Sequence, residues 1–337
     1  MASDNSITVF GAYGHTARFV ITELRKRGWR VILSARDGVK LDAVGAAFPG
    51  SELRVATVDD PRSLAAAIAG SRAVINCAGP FLDTAIPIID VAIRSGVHYI
   101  DIAAEQAAVL NVFERFENDS RTADIVIAPA VAFYGGLADL LATAVMDDWD
   151  AVDEICIAVA LDSWKPTRGT RLTGQRNPGR RFIFSHGKLE RADPPPGRTW
   201  NFPAPFGPQE VIGLSFAEAI TISRHLDTRE IRAFMNTAPL ADLRNPDTPA
   251  PTPADESGRS SQIFLMDVIV RRGSKERRVV ASGRDIYAVT APIVVEAAER
   301  IVNGLARKNG VVAAGEAFDA RDFLNSLNPA HVVINFL

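Results

Sequence analysis

Cysteine is scarce in this chain: Cys77 and Cys156 are the only two in 337 residues. Far apart in sequence, they argue against a disulfide framework and fit a reducing compartment, so a cytoplasmic location is expected. Neither sign of charge dominates. Acids and bases are interspersed at a net charge of −3, which points to neither a nucleic-acid groove nor a polybasic membrane patch. Met1 to Ser6 is polar and has no signal-peptide core. No apolar run reads as a membrane span. The nearest approach, Ile125 to Met146, holds Pro129, Gly135-Gly136 and Asp139, and reads instead as a strand, a turn and a core helix. There is no internal repeat.

Several catalytic patterns are missing as well. Short-chain reductases pair a tyrosine with a lysine four residues on, the lysine lowering the phenol's pKa. Here Tyr13, Tyr99, Tyr134 and Tyr287 are followed at that spacing by Ala17, Ala103, Ala138 and Ala291, so that mechanism is excluded. The histidines (His15, His98, His186, His225 and His331) include no pair at metal-ligand spacing, so no metal site is expected. No Gly-x-Ser-x-Gly elbow marks a hydrolase.

What is present starts near residue 7. Ile7 to Phe10 is a short apolar strand, Gly11-Ala12-Tyr13-Gly14-His15-Thr16-Ala17 a glycine-punctuated turn, and Arg18 to Arg27 an amphipathic run closed by Gly28. That order binds a dinucleotide pyrophosphate. Gly11 permits the tight turn, Gly14 lets the backbone approach the phosphates, and Ala17 allows close helix–strand packing. The free amides of the first helical turn then face the anion. The second strand, Arg30 to Ser34, ends in Ala35-Arg36-Asp37. An acidic residue here accepts from a ribose 2′-OH, whereas an arginine suits a 2′-phosphate. Arg36, with Ser34 beside it as a hydroxyl donor, favours NADP; Asp37 keeps NAD open.

Strand and helix continue to alternate, as in a doubly wound parallel sheet. Strands are expected at Glu52 to Val58, Ala73 to Cys77, His98 to Ile102 and Ile125 to Ala128. Asp59 admits two roles, acceptor for an adenine amino group or helix N-cap. Ala78-Gly79-Pro80 would bring bare backbone over the cofactor's ribose or nicotinamide. From Asp153 the rhythm changes: a strand at Glu154 to Leu161, a loop-rich stretch from Asp162 to Pro208, then strand-like runs at Glu218 to Ser223, Glu230 to Met235, Gln262 to Arg271 and Arg277 to Ser282. This predicts an α+β domain with a mainly antiparallel sheet. Arg244 to Ser261 reads as a proline-rich surface loop, and Ala291 to Leu305 as a helix.

These stretches, with Val74-Ile75-Asn76-Cys77-Ala78-Gly79-Pro80-Phe81, Gly96-Val97-His98-Tyr99-Ile100-Asp101-Ile102-Ala103-Ala104-Glu105 and Gly135-Gly136-Leu137-Ala138-Asp139-Leu140-Leu141-Ala142, resemble the saccharopine dehydrogenase-like oxidoreductase family, including its trans-acting enoyl reductase branch. The likeness covers the first 145 residues well and returns loosely at Arg168-Gly169-Thr170 and from Asp285 to Ala291. It implies a Rossmann-type domain made of residues 1–148 and 286–337, an inserted substrate domain of residues 149–285, and a homodimer through the inserted sheet. The chain departs from the family pattern at Gly135, where relatives often have proline, and at Ala103-Ala104, where many have a glycine. Both lie near the reacting end of the site and leave the substrate open.

Candidate catalytic groups are Asp101, Glu105, Tyr134 and Lys165. Asp101 and Glu105, at the carboxyl edge of the sheet, are either general acids raised by desolvation, or helix caps and arginine partners. Tyr134 either faces the nicotinamide or is a buried aromatic at a domain seam. Lys165, Arg168, Arg171 and Gln175 form either a clamp for a carboxylate or phosphopantetheine-type substrate, or a solvated loop. His186 and His225 read as structural. The cofactor contacts expected are Gly11, Ala12, Tyr13, Gly14, His15, Thr16, Ser34, Arg36, Asp59, Ala78, Gly79 and Pro80. Together these describe an NADP-dependent oxidoreductase acting on a C=N or polarised C=C bond of a small or carrier-linked acyl substrate. A catalytically silent NADP(H)-sensing regulator is the alternative.

Overall fold

The computed structural model describes residues 5–122, 124–176 and 181–337. Its first part alternates strictly: Ser6–Phe10 (β1), His15–Lys26 (α1), Arg30–Ala35 (β2), Gly38–Ala47 (α2), Glu52–Val55 (β3), Pro61–Ile68 (α3), Ala73–Asn76 (β4), Phe81–Ser95 (α4), His98–Asp101 (β5), Gln106–Thr122 (α5), Val126–Ala128 (β6) and Ala138–Met146 (α6). Ala151–Leu161 (β7) opens the second part, followed by Arg168–Arg176 (α7), Phe182–Ser185 (β8), Lys188–Arg191 (β9), Arg198–Asn201 (β10), Pro208–Gly213 (β11) and Glu218–Ser223 (α8). Then come Asp227–Asn236 (β12), Ala238–Arg244 (α9), Ile263–Arg272 (β13) and Lys275–Arg284 (β14). The chain closes with Thr290–Val302 (α10), Gly310–Val311 (β15), Ala314–Ala317 (α11), Ala320–Leu327 (α12) and Val333–Phe336 (β16).

The first sheet runs β15-β6-β5-β4-β1-β2-β3, all parallel. Helices cover both faces, so β1 and β4 are buried at every position, their polar members Ser6, Thr8 and Asn76 included. Strand order reverses between β1 and β4, and in open α/β sheets ligands bind at that switch point. Helix α1 packs on the sheet through Ala17, Val20, Ile21 and Leu24, the spacing of one helical face. Each of the three larger side chains contributes about 1.5–3 kcal/mol by burial.

The second sheet runs β10-β11-β12-β7-β13-β14-β16, with β8 added through β12 and β9 through β8. It is antiparallel except where β7 and β12 run together. Central strand β7 alternates: Ile157, Val159 and Leu161 face the core shared with the first sheet, while Cys156, Ala158 and Ala160 face a smaller cluster with Trp200 and Phe202. The architecture is a Rossmann-type doubly wound parallel sheet joined to a second, mainly antiparallel α+β unit.

Two expectations need correction. Residues 162–208 are not simply a loop, because α7 and three short strands lie within them. Glu218 to Ser223 is a helix, not a strand. Its β-branched residues suggested a strand, but Glu218 to Ile222 are all buried, and tertiary enclosure overrides weak local propensity. Residues 125–146 form β6, a turn and α6, and among the described residues no helix is long and apolar enough to cross a membrane.

Candidate functional site

A cleft of about 1140 Å³ runs along the carboxyl ends of β1, β2, β4 and β5, and its opposite wall comes from α7 and the loops beside it. Its floor is the glycine turn. The Gly11 and Ala12 amides donate to the Ser34 carbonyl at 2.8 and 3.1 Å, which folds the turn over the end of β2. Gly11 has φ 81, and a Cβ there would stand 2.8 Å from the Ala78 nitrogen, so glycine is required on both counts. Gly14 precedes α1 without a side-chain cap, and the first turn carries no acidic residue. Its amides and positive dipole end are therefore open to an anion.

At the end of β2 the two competing charges separate. Asp37 caps α2, accepting from the Lys40 amide at 3.1 Å and pairing with its ammonium at 2.7 Å, and these contacts hold its carboxyl below the usual range. Arg36 is exposed on the cleft wall and makes no hydrogen bond or ion pair among the described residues. The same division occurs after β3. Asp60 caps α3 through the Arg62 amide, while Asp59 stays on the cleft wall.

Buried polar groups fix the loops after β4, β5 and β6. Asn76 Nδ2 donates to Thr84 Oγ1 and Tyr99 Oη, and Tyr99 donates to Asp101 Oδ2 at 2.8 Å. Asp101 Oδ1 accepts the Ala103 and Ala130 amides. Burial pushes the Asp101 carboxyl up to about 6, against the pull of those donors. Its oxygens are occupied and it does not line the cleft, so it positions loops rather than meeting a ligand. Glu105 does line the cleft, but as a helix cap: its oxygens accept the Phe81 and Leu82 amides at 3.1 and 3.0 Å, and Thr173 Oγ1 at 2.7 Å.

Tyr134 lies at the inner end, stacked on Phe216 (4.1 Å between centroids) and on Trp164 (5.9 Å). Its hydroxyl is buried without a hydrogen-bond partner, and burial drives the phenol well above its ordinary value. Gly135, next in sequence, has φ 94, which proline with its fixed negative φ cannot adopt. A Cβ there would also stand 2.8 Å from the Ala130 carbonyl oxygen. Tyr287 ties the far wall down: its hydroxyl accepts from Trp164 Nε1 and the Thr167 amide and shares a 3.0 Å bond with Thr170. His15 packs edge-on to Tyr287 and Phe19, and its Nε2 is buried without a partner. Burial holds that imidazole below its ordinary pKa.

Of the residues expected at the site, Gly11, Tyr13, Gly14, His15, Thr16, Arg36, Asp59, Ala78, Gly79, Glu105 and Tyr134 line this one cleft. Ala12, Ser34, Pro80, Asp101 and Lys165 do not. Ser34 corrects the expectation of a phosphate donor, because its side chain is fully buried and it acts through its carbonyl. Ala12 is core, and Pro80 precedes α4 with its carbonyl accepting the Asp83 amide. Arg168, Arg171 and Gln175 share the cleft on α7, not on a loop. Sequence reasoning missed Trp164, Arg181, Phe216 and the role of Tyr287, which meet from distant segments with no local motif.

Residues 7–124 match the family model described as the saccharopine dehydrogenase NADP binding domain. These residues are similar to that domain. The cofactor of this domain is NADP, and the residues present fit it: an uncapped helix start for the pyrophosphate, an unengaged Arg36 for the 2′-phosphate, and Asp37 withdrawn from competition. The fold extends beyond the matched domain. The apo saccharopine dehydrogenase (L-Glu forming) of Saccharomyces cerevisiae aligns over 99% of this chain and 100% of its own, with TM-score 0.68 and 12% identity, which shows a shared fold. Triphenylmethane reductase of a Citrobacter species aligns over 41% of this chain and 54% of its own, at 24% identity and TM-score 0.32. An NADPH-dependent quinone oxidoreductase of Escherichia coli aligns over 41% and 50%, at 20% identity and TM-score 0.30. No curated protein matches the sequence.

Proposed function

We propose that the protein is an NADP-dependent oxidoreductase that reduces a C=N or polarised C=C bond of a small or carrier-linked metabolite. One observation supports this above the others: the open first turn of α1 and the unengaged Arg36 share a single cleft with Tyr134, whose hydroxyl is buried without a partner. NADPH, the reduced form, would supply the hydride when bound and leave as NADP+. The chain's own part is binding and proton supply. First-turn amides and Arg36 hold the phosphates. Tyr134 keeps a proton on its oxygen through the neutral range, because burial disfavours the phenolate. That oxygen is itself buried from water, and the ring stacks on Trp164 and Phe216. On this reading residues 1–148 and 286–337 serve the cofactor and residues 149–285 the substrate.

The test is NADPH oxidation followed at about 340 nm, the reduced nicotinamide band, against two panels. One combines 2-oxo acids with amino acids; the other holds α,β-unsaturated acids and thioesters. Turnover on either supports an enzyme and tells which bond is reduced. The regulatory alternative has one observation in its favour: Asp101 and Glu105 are both taken up by backbone amides. Silence on both panels with tight NADPH binding by fluorescence would favour it.

A further inference from the structure

Beside Tyr134 the cleft wall contains a cation that forms no ion pair among the described residues. Arg181 is part-buried, lies 4.8 Å over the Phe216 ring and donates to the Ser215 carbonyl at 2.8 Å. No carboxylate among the described residues pairs with it. The acid that acts on it is Glu218. Its Oε1 accepts the Phe216 amide at 2.7 Å, while its Oε2 is buried with no partner. Burial pushes Glu218 toward its neutral form and disfavours the Arg181 charge; the two attract across the wall, but burial outweighs that attraction for both and they form no ion pair. A guanidinium removed from water without a counter-ion is costly unless a ligand brings one.

Two other cleft arginines are differently placed. Arg171 is spent on the Asn245 and Thr248 carbonyls, and Arg36 lies at the end of β2. Arg181 instead shares its surroundings with the flat faces of Tyr134, Trp164 and Phe216. The fork can hold a carboxylate bidentately, and the planar rings beside it favour a flat ligand carrying that carboxylate. We propose that Arg181 anchors the carboxylate of a free-acid substrate whose planar, unsaturated part lies along the Trp164–Tyr134–Phe216 wall. This rests on Tyr134 marking the reacting end of the cleft, and it selects a free acid over a carrier thioester.

The probes are trans-cinnamate and its uncharged amide, titrated calorimetrically into NADP-loaded protein, with inorganic phosphate as competitor. Cinnamate should bind at least roughly 10-fold more tightly than the amide, the usual worth of a charge-assisted hydrogen bond. Arg181→Met should abolish that preference while Arg181→Lys keeps part of it, with thermal melting showing both variants folded. If Arg181→Met fails to fold, the Lys variant and the acid–amide comparison on the wild type decide. Equal binding of acid and amide, no cinnamate binding, an unchanged preference in a folded Met variant, or displacement by phosphate as effective as by cinnamate would each overturn the proposal. Because binding is read without turnover, the carboxylate preference can hold even if the oxidoreductase reading fails, and can fail while turnover is found.

Discussion

The Thr173 hydroxyl donates to Glu105 Oε1 at 2.7 Å, fastening the helix on one wall of the cleft to the sheet end on the other. The same carboxylate closes the start of α4 through the Phe81 and Leu82 amides. Glu105→Gln turns one acceptor into a donor facing donors. It should cost about 1–2 kcal/mol, the range of a lost helix cap, and raise KM for the substrate. Thr173→Val removes only the cross-cleft tie and should raise KM with little change in melting temperature. Thermal melts with steady-state kinetics check both, and an unchanged KM in the two variants would remove the tie from any role in closure.

Arg36 stands unengaged because Asp37 is committed to α2. Arg36→Ala should weaken NADPH binding by roughly 10- to 100-fold, the worth of a charge-assisted contact, and leave NADH binding nearly untouched. Fluorescence titration of both nucleotides reads this. Equal losses would mean that Arg36 does not hold the 2′-phosphate.

Tyr134 makes activity and stability move in opposite directions. Its buried hydroxyl lacks a partner, so Tyr134→Phe should stabilise the fold, by about 1 kcal/mol from removing an unsatisfied group. Turnover should fall by roughly 10²- to 10⁴-fold if that hydroxyl delivers the proton. A variant both more stable and fully active would leave the phenol without a chemical role.

His225 Nε2 lies 2.7 Å from Asp139 Oδ1 in a buried pair, with Asp139 also accepting the Gly315 amide. Burial opposes charge on the ring, but the Asp139 carboxylate outweighs it and raises the imidazole above its ordinary pKa of 6.5. The folded state therefore holds the proton more tightly than the unfolded chain. The pair's contribution is full below pH 6.5 and fades as pH rises through the folded value. Melting wild type and His225→Gln at pH values on either side should show a gap that narrows as pH rises. A gap that widens would mean that the ring is neutral in the folded protein.

Much of the cofactor half was legible because its signals are local. A short, largely apolar strand, a glycine at positive φ and a helical face at 17, 20, 21 and 24 depend on neighbours within a few positions. The end of β2 was only half legible. Sequence put Arg36 and Asp37 side by side, but helix geometry decided which was consumed as a cap. The same held for Asp59 and Asp60.

The substrate half was largely closed to such reading. Helix α7 buries none of its residues, so no apolar periodicity announces it; its anchors, Tyr287 and Glu105, come from distant segments. From the sequence alone came the nucleotide-binding turn, the alternating parallel sheet and the preference for NADP, each set by short-range backbone and charge requirements. The tertiary structure decided that Asp101 and Glu105 serve as scaffolding, that Ser34 works through its carbonyl, and that Tyr134, Trp164, Arg181 and Phe216 meet. Those outcomes depend on which groups burial leaves without a partner, and that is settled only when segments distant in sequence pack together.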